Sequence, residues 1–197
     1  MKQKIIDTLI AIGAVKFGEF TLKSGLVSPI YIDLRIIISY PLLLKDIAVA
    51  FVDMSKNLEF SKVAGIPYTA LPIATAMSLT AEIPMIYARK EKKAYGTGKQ
   101  IEGVWEAGDR VLIIDDLITK GTSKAETFAV FESAGLVVED VVVLIDREQG
   151  GKELLAQTGH RLHSLISVFE ILDRLKALGK IAPPLYDSVL QFLHDNR

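Results

Sequence analysis

The chain contains no cysteine. That excludes a disulfide framework, a thiolate zinc site and a cysteine nucleophile, and it suits a reducing, cytoplasmic setting. It has no run of about 18 apolar residues, so no membrane-spanning helix and no membrane partner is expected. The net charge is −1, with no basic tract broad enough for a nucleic-acid footprint, so no nucleic-acid partner is expected either. Histidine is scarce. His160 and His163 stand close together in HRLH, yet no third ligand accompanies them, and both read as structural. Internal repeats and low-complexity linkers are also missing. The opening stretch, MKQKIIDTLIAIG, sets lysines before apolar residues as a signal peptide would. Asp7 interrupts it, however, and Ile5, Ile6, Leu9, Ile10 and Ala11 form the stripe of an amphipathic helix.

What is present suits one globular domain. A chain of 197 residues can bury roughly 70% of its unfolded surface. Phe17–Lys23 and Pro29–Arg35 read as short strands around the Ser24-Gly25 turn, and Pro41 opens a helix. From residue 62 onward, apolar strands alternate with helices. The strands are expected over 62–66, 83–88, 111–115, 140–145 and 161–166. The helices are expected over 70–79, 123–134, 152–157, 167–178 and from Pro183 to about His194, with a polar loop over 89–103. Strands apolar throughout and separated by helices indicate a mostly parallel sheet flanked by helices, an α/β fold. Ligands of such sheets bind beyond the carboxyl ends of the strands.

One of those ends reads VLIIDDLITKGTS, residues 111–123. An apolar strand ending in acids also occurs in P-loop ATPases, but the G-x-x-x-x-G-K-[ST] loop that such a reading needs is absent. The loop from Asp116 to Ser123 offers backbone N–H groups, hydroxyls and Gly121 ahead of a helix N-terminus, an arrangement that attracts a phosphate. Carboxylates cannot hold a phosphate, but Asp115 and Asp116 can accept hydrogen bonds from sugar hydroxyls or lie near a magnesium ion. A ribose 5-phosphate would satisfy both halves. A plainer reading makes Thr122 or Ser123 a helix N-cap, with Glu126 completing a capping box; the two are compatible.

VLIIDDLITKGTS resembles the phosphoribosyl-pyrophosphate (PRPP) signature of type I phosphoribosyltransferases. FTLKSGLVSPIYIDLR (20–35), GIPYTALPIAT (65–75), RKEKKAYGTGKQIEG (89–103) and LIDREQGGK (144–152) are similar to orotate phosphoribosyltransferase in particular. The likeness covers nearly the whole chain and is strongest to the phosphoribosyltransferase domain of UMP synthase. It implies the type I phosphoribosyltransferase fold in one domain over 1–197. A small N-terminal hood would come from about 1–40 plus C-terminal elements, and the core from about 41–166. It also implies conversion of orotate and PRPP to orotidine 5′-monophosphate and pyrophosphate, with Mg2+ as cofactor.

By the same resemblance, Asp115 and Asp116 face the ribose hydroxyls and the metal region, with no direct metal ligand from the chain because magnesium arrives with PRPP. Leu117, Ile118, Thr119, Lys120, Gly121, Thr122 and Ser123 wrap the 5′-phosphate. Tyr68 and Thr69 lie near the pyrophosphate. Arg89, Lys90, Lys93 and Tyr95 belong to a loop that closes over it, with Lys93 assisting the leaving group. Lys23, the backbone at Tyr31 and Ile32, Thr119 and Arg147 contact orotate. The implied partners are the two substrates, a second copy in a homodimer sharing the loop 89–103, and a separate orotidine-monophosphate decarboxylase. Two positions depart from many stand-alone bacterial members, which carry His at position 95 and Lys at position 69; UMP synthase domains carry Tyr and Thr there, as this chain does. On residue type alone, Arg147 would be a surface ion pair with Asp146 or Glu148. The alternatives to an orotate enzyme are a PRPP-sensing regulator and a purine or uracil phosphoribosyltransferase.

Overall fold

The computed structural model describes residues 1–22, 25–89 and 100–196, apart from the side chains of Thr122, Ser123 and Ala125. Lys23, Lys90, Lys93 and Tyr95 lie outside the described residues, as does the Ser24 end of the expected turn. Helix α1 (Lys2–Ala11) leads into a hairpin of β1 (Val15–Thr21) and β2 (Val27–Ile32). The expected second strand reached Arg35, but a 3-10 helix occupies Leu34–Ser39 instead. Leu34 and Ile37, three residues apart, are both buried, which is the period of a 3-10 turn and not of a strand. Asp33, gripped by Arg35 and Lys16, marks the change of direction.

The main sheet contains β3 (Lys62–Gly65), β4 (Met85–Ala88), β5 (Ile101–Glu102), β6 (Arg110–Ile118), β7 (Val137–Asp146) and β8 (Arg161–Ser167), in the order β5-β4-β3-β6-β7-β8. All neighbouring pairs are parallel except β4 and β5, so the sheet is the mostly parallel one the alternation implies. The helices are α2 (Pro41–Ser55), α3 (Ala70–Ala81), α4 (Thr122–Ser133), α5 (Gly151–Gln157), α6 (Val168–Ala177) and α7 (Pro183–Asp195). Along β6 and β7 the burial alternates between two clusters. Leu112, Ile114, Val142 and Leu144 join the cluster that contains α1, α2, α3, α6 and α7. Val111, Ile113, Val141 and Val143 join the one containing Phe128 and Phe131 of α4 and Leu155 of α5. Each strand is therefore apolar throughout because each of its faces meets a different helical layer.

Two helix starts differ from expectation. The N-cap of α4 is Gly121, in the left-handed region at φ 78°, so the expected capping box of Thr122 or Ser123 with Glu126 is not its cap. The capping box instead lies at α6. Ser167 Oγ accepts from the Phe169 N–H, and the Ser167 N–H donates to Glu170 at 2.8 Å. Histidine behaves as the sequence suggests: His163 pairs with Asp140 at 2.7 Å, and His160 lies between Thr158 and Glu132. Among the described residues, no helix is long and apolar enough to cross a membrane.

Candidate active site

Three adjacent parallel strands, β3, β6 and β7, end at the same edge and deliver the residues singled out in the sequence. Gly65 pairs with Ile114, and Ile118 with Asp146, so the turns after all three strands lie side by side. Backbone bonds join them: the Ile66 N–H donates to the Ile114 carbonyl, and the Arg147 N–H to the Ile118 carbonyl, each at 3.0 Å. Close approach of the turns depends on missing side chains. A Cβ on Gly151 would come within 2.5 Å of the Thr119 carbonyl and 2.7 Å of Ile118 Cγ1; one on Gly65 would meet the Ala70 carbonyl at 2.9 Å. We expect Gly151→Ala to cost about 1–3 kcal/mol, the range for overpacking, and so to lower the melting temperature. It should also raise the KM for any ligand of the Thr119 turn; an unchanged melting temperature would show that the turn yields freely.

Strand β6 continues past the expected end at Asp115 to Ile118, so both aspartates lie within the ladder, Asp115 opposite Val143. Their local bonds explain how. Asp115 Oδ1 accepts from the Asp116 N–H and Asp116 Oδ1 from the Leu117 N–H, each at 2.8 Å. Neighbouring side chains in a strand point to opposite faces, which separates the two charges. Asp115 turns toward α4, where it is buried and receives the ammonium of Lys124. The Lys124 Nζ also donates to the Leu117 carbonyl at 3.0 Å. The ion pair occupies Asp115 Oδ2, a contact the sequence reading did not include. Asp116 turns toward the start of α3. Burial pushes its carboxyl above the usual range, with hydrogen bonds from Leu117 N–H and the Thr69 hydroxyl pulling the other way.

The loop after β6 begins with half-buried Thr119 and exposed Lys120, and closes at buried Gly121, where α4 starts. Its N–H groups lie at a helix N-terminus, the kind of site that receives an anion. Thr69 is the N-cap position of α3, and Tyr68 is 63% exposed beside it. A cleft of about 320 Å3 lies there, lined by Arg35, Ile38, Pro67, Tyr68, Thr69 and Pro72.

Arg147 follows β7 and is 4% exposed, so it is no surface ion pair. Its Nη2 donates to Ser28 Oγ of β2 at a long 3.5 Å, and its Nε is buried without a hydrogen-bond partner among the described residues. Burial lowers its pKa, yet a guanidinium stays charged at neutral pH. A buried cation with an unused donor is a costly arrangement that an anionic, planar ligand would relieve. On the hairpin, the Tyr31 ring stacks on Phe20 at 5.3 Å and its hydroxyl accepts from Arg35, while Ile32 is half-buried. Arg89 sits at the base of the expected loop. Its N–H donates to the Gln100 carbonyl at 2.8 Å and its guanidinium pairs with Glu102 at 3.3 Å.

Sequence reasoning missed Lys124 and Ser28. A signal for Lys124 was there: with Phe128 and Phe131 it forms an i, i+4, i+7 stripe, which places a lysine on the apolar face of α4. Among the described residues, no three His, Asp or Glu side chains gather in a way that could hold a metal ion. With an ammonium already on Asp115, the aspartates do not fit a metal held by the protein alone.

Residues 39–165 match the phosphoribosyl transferase domain family, and the chain belongs to it. Uridine 5′-monophosphate synthase of Bos taurus is 46% identical over 194 residues, covering 98% of this chain and 40% of that protein. The orotate phosphoribosyltransferase of Pyrococcus abyssi (strain GE5 / Orsay) is 39% identical over 175 residues, covering 88% of this chain and 96% of that one. The solved structure of Leishmania donovani UMP synthase matches with a TM-score of 0.91 and 38% identity, over 98% of this chain and 42% of that one. The chain therefore spans less than half the length of the UMP synthases it matches and nearly all of the archaeal relative. Within its family it falls among the orotate phosphoribosyltransferases.

Proposed function

We propose that the chain transfers the 5-phosphoribosyl group of PRPP to orotate, giving orotidine 5′-monophosphate and pyrophosphate in UMP biosynthesis. The observation that carries the choice of base is Arg147. A buried guanidinium with an unpartnered Nε, next to a phosphate-type loop, suits a planar carboxylate. In this reading a ring nitrogen of orotate forms a bond to the anomeric carbon of PRPP and loses its proton to solvent or to the departing pyrophosphate, as the carbon–oxygen bond to pyrophosphate breaks with its electron pair and positive charge grows on the sugar. The amides and hydroxyls of residues 117–123 hold the 5′-phosphate. Asp116 and the remaining acceptor capacity of Asp115 take the ribose hydroxyls. Tyr68 and Thr69 flank the pyrophosphate, and Lys23, Thr119, Arg147 and the backbone at Tyr31 and Ile32 surround orotate.

The cations Arg89, Lys90 and Lys93, with Tyr95, would stabilise the departing pyrophosphate, since charge that develops in the transition state is where electrostatics acts most. Lys93 is the group proposed to assist the leaving oxygen. Closure of the segment 89–103, shared with a second copy in a homodimer, would exclude water as a competing nucleophile. Magnesium would come bound to PRPP, near Asp115 and Asp116. The setting is the cytoplasm, and an orotidine-monophosphate decarboxylase is the proposed consumer of the product. The test is direct: the chain with PRPP, magnesium and orotate should release pyrophosphate as orotate absorbance falls. Pyrophosphate release that needs a different base would overturn the choice of substrate.

A further inference from the structure

We infer that Lys124 is a positioning residue for the ribose-facing acids: it clamps the Asp115 carboxylate to the Leu117 carbonyl and so fixes the tip of β6 for PRPP. The inference rests on the proposed reading of the site. Lys124 and Asp115 are 5% and 6% exposed, so neither charge can turn to water. The lysine lies on the first turn of α4, the helix whose N-terminus opens the phosphate loop, and its Nζ reaches back to both Asp115 Oδ2 and the Leu117 carbonyl. One side chain therefore ties the start of α4 to the strand that carries the acids, across the loop 119–121. Burial pulls the Lys124 ammonium down to about 7.

The clamp also explains how two adjacent acids, Asp115 buried and Asp116 half-buried, can share one strand tip. Asp116 accepts from the Leu117 N–H and the Thr69 hydroxyl, and no cation pairs with it among the described residues. If Asp115 were equally uncompensated, the tip would carry two desolvated negative charges. Lys124 neutralises one and leaves the other for the ligand. It acts through Asp115 and does not itself touch PRPP.

The experiment measures PRPP binding by calorimetry with magnesium, and KM for each substrate, in the wild type, Lys124→Met, Asp115→Asn and the double variant. Lys124→Met should weaken PRPP about 10- to 100-fold, the scale of a lost charge-assisted bond, and leave KM for orotate unchanged. Unchanged PRPP affinity, or equal loss for both substrates, would overturn the inference. Removing one partner of a buried pair can unfold a protein, whereas the double variant leaves no unpaired charge. It should match Asp115→Asn in PRPP affinity, because Lys124 acts only through Asp115; a double variant clearly weaker than Asp115→Asn would contradict that. Failure of the wild type to bind PRPP would sink the functional reading itself, separately from the role of Lys124.

Discussion

Replacing Asp116 with asparagine is expected to make the protein more stable at neutral pH and much less active. Burial raises the pKa of this carboxyl in the folded chain, so its ionised form is held at a cost. The folded state then binds more protons than the unfolded one across the window between the ordinary carboxylate pKa and the raised value, and stability falls as pH rises through that window. Asparagine keeps an oxygen for the Leu117 N–H and carries no charge, so the melting temperature at pH 7 should rise. The gain should shrink as pH drops into the ordinary carboxylate range, where the wild-type Asp116 is protonated as well. A carboxylate on a sugar hydroxyl is a charge-assisted bond, so kcat/KM for PRPP should fall about 10- to 100-fold. Thermal melts at several pH values and steady-state kinetics check both halves. A melting temperature that drops at pH 7 would show that the Asp116 charge is compensated in the folded protein.

The second large effect concerns the base. Arg147→Lys keeps the positive charge but loses the planar fork, and an ammonium on a flexible stem cannot make the paired bonds a carboxylate prefers. We expect KM for orotate to rise about 10²-fold, in line with sites built to hydrogen-bond one substrate group, with KM for PRPP little changed. Ser28 stands behind Arg147. It is fully buried, donates to the Ile30 carbonyl at 2.7 Å and accepts from Arg147, so the hairpin of β1 and β2 steadies the guanidinium from the opposite side of the site. An equal rise in both KM values would mean that Arg147 supports the fold and does not select the base.

Much of this site can be read from the chain because its chemistry is compressed into short segments. Residues 111–123 carry strand, acids, loop and helix start in sequence, and the parallel direction of β3, β6 and β7 follows from the alternation of apolar runs with helices, although their order in the sheet does not. The end of β6 was not legible in the same way. Two aspartates look like a boundary, since acids are poor strand residues, but each accepts the N–H that follows it, and the ladder runs on to Ile118. Arg147 was legible only through resemblance. Between Asp146 and Glu148 it looks like a surface ion pair, and only the folded chain, where it reaches Ser28 of β2, shows it to be buried. Lys124 was hidden by its type. A lysine in a helix is ordinarily a solvated residue, and its place on the Phe128–Phe131 face is evident only once the face is known to be buried.

The central claim is that Arg147 and the loop after β6 select a ribose-phosphate donor and a carboxylated pyrimidine. Turnover of orotate against uracil, with PRPP and magnesium, tests it most directly, because the two bases differ by the carboxylate that Arg147 is proposed to read. The account predicts that orotate is consumed with release of pyrophosphate, and that kcat/KM for uracil is lower by about 10³-fold or more. Comparable turnover of uracil, or of a purine base in its place, would contradict it.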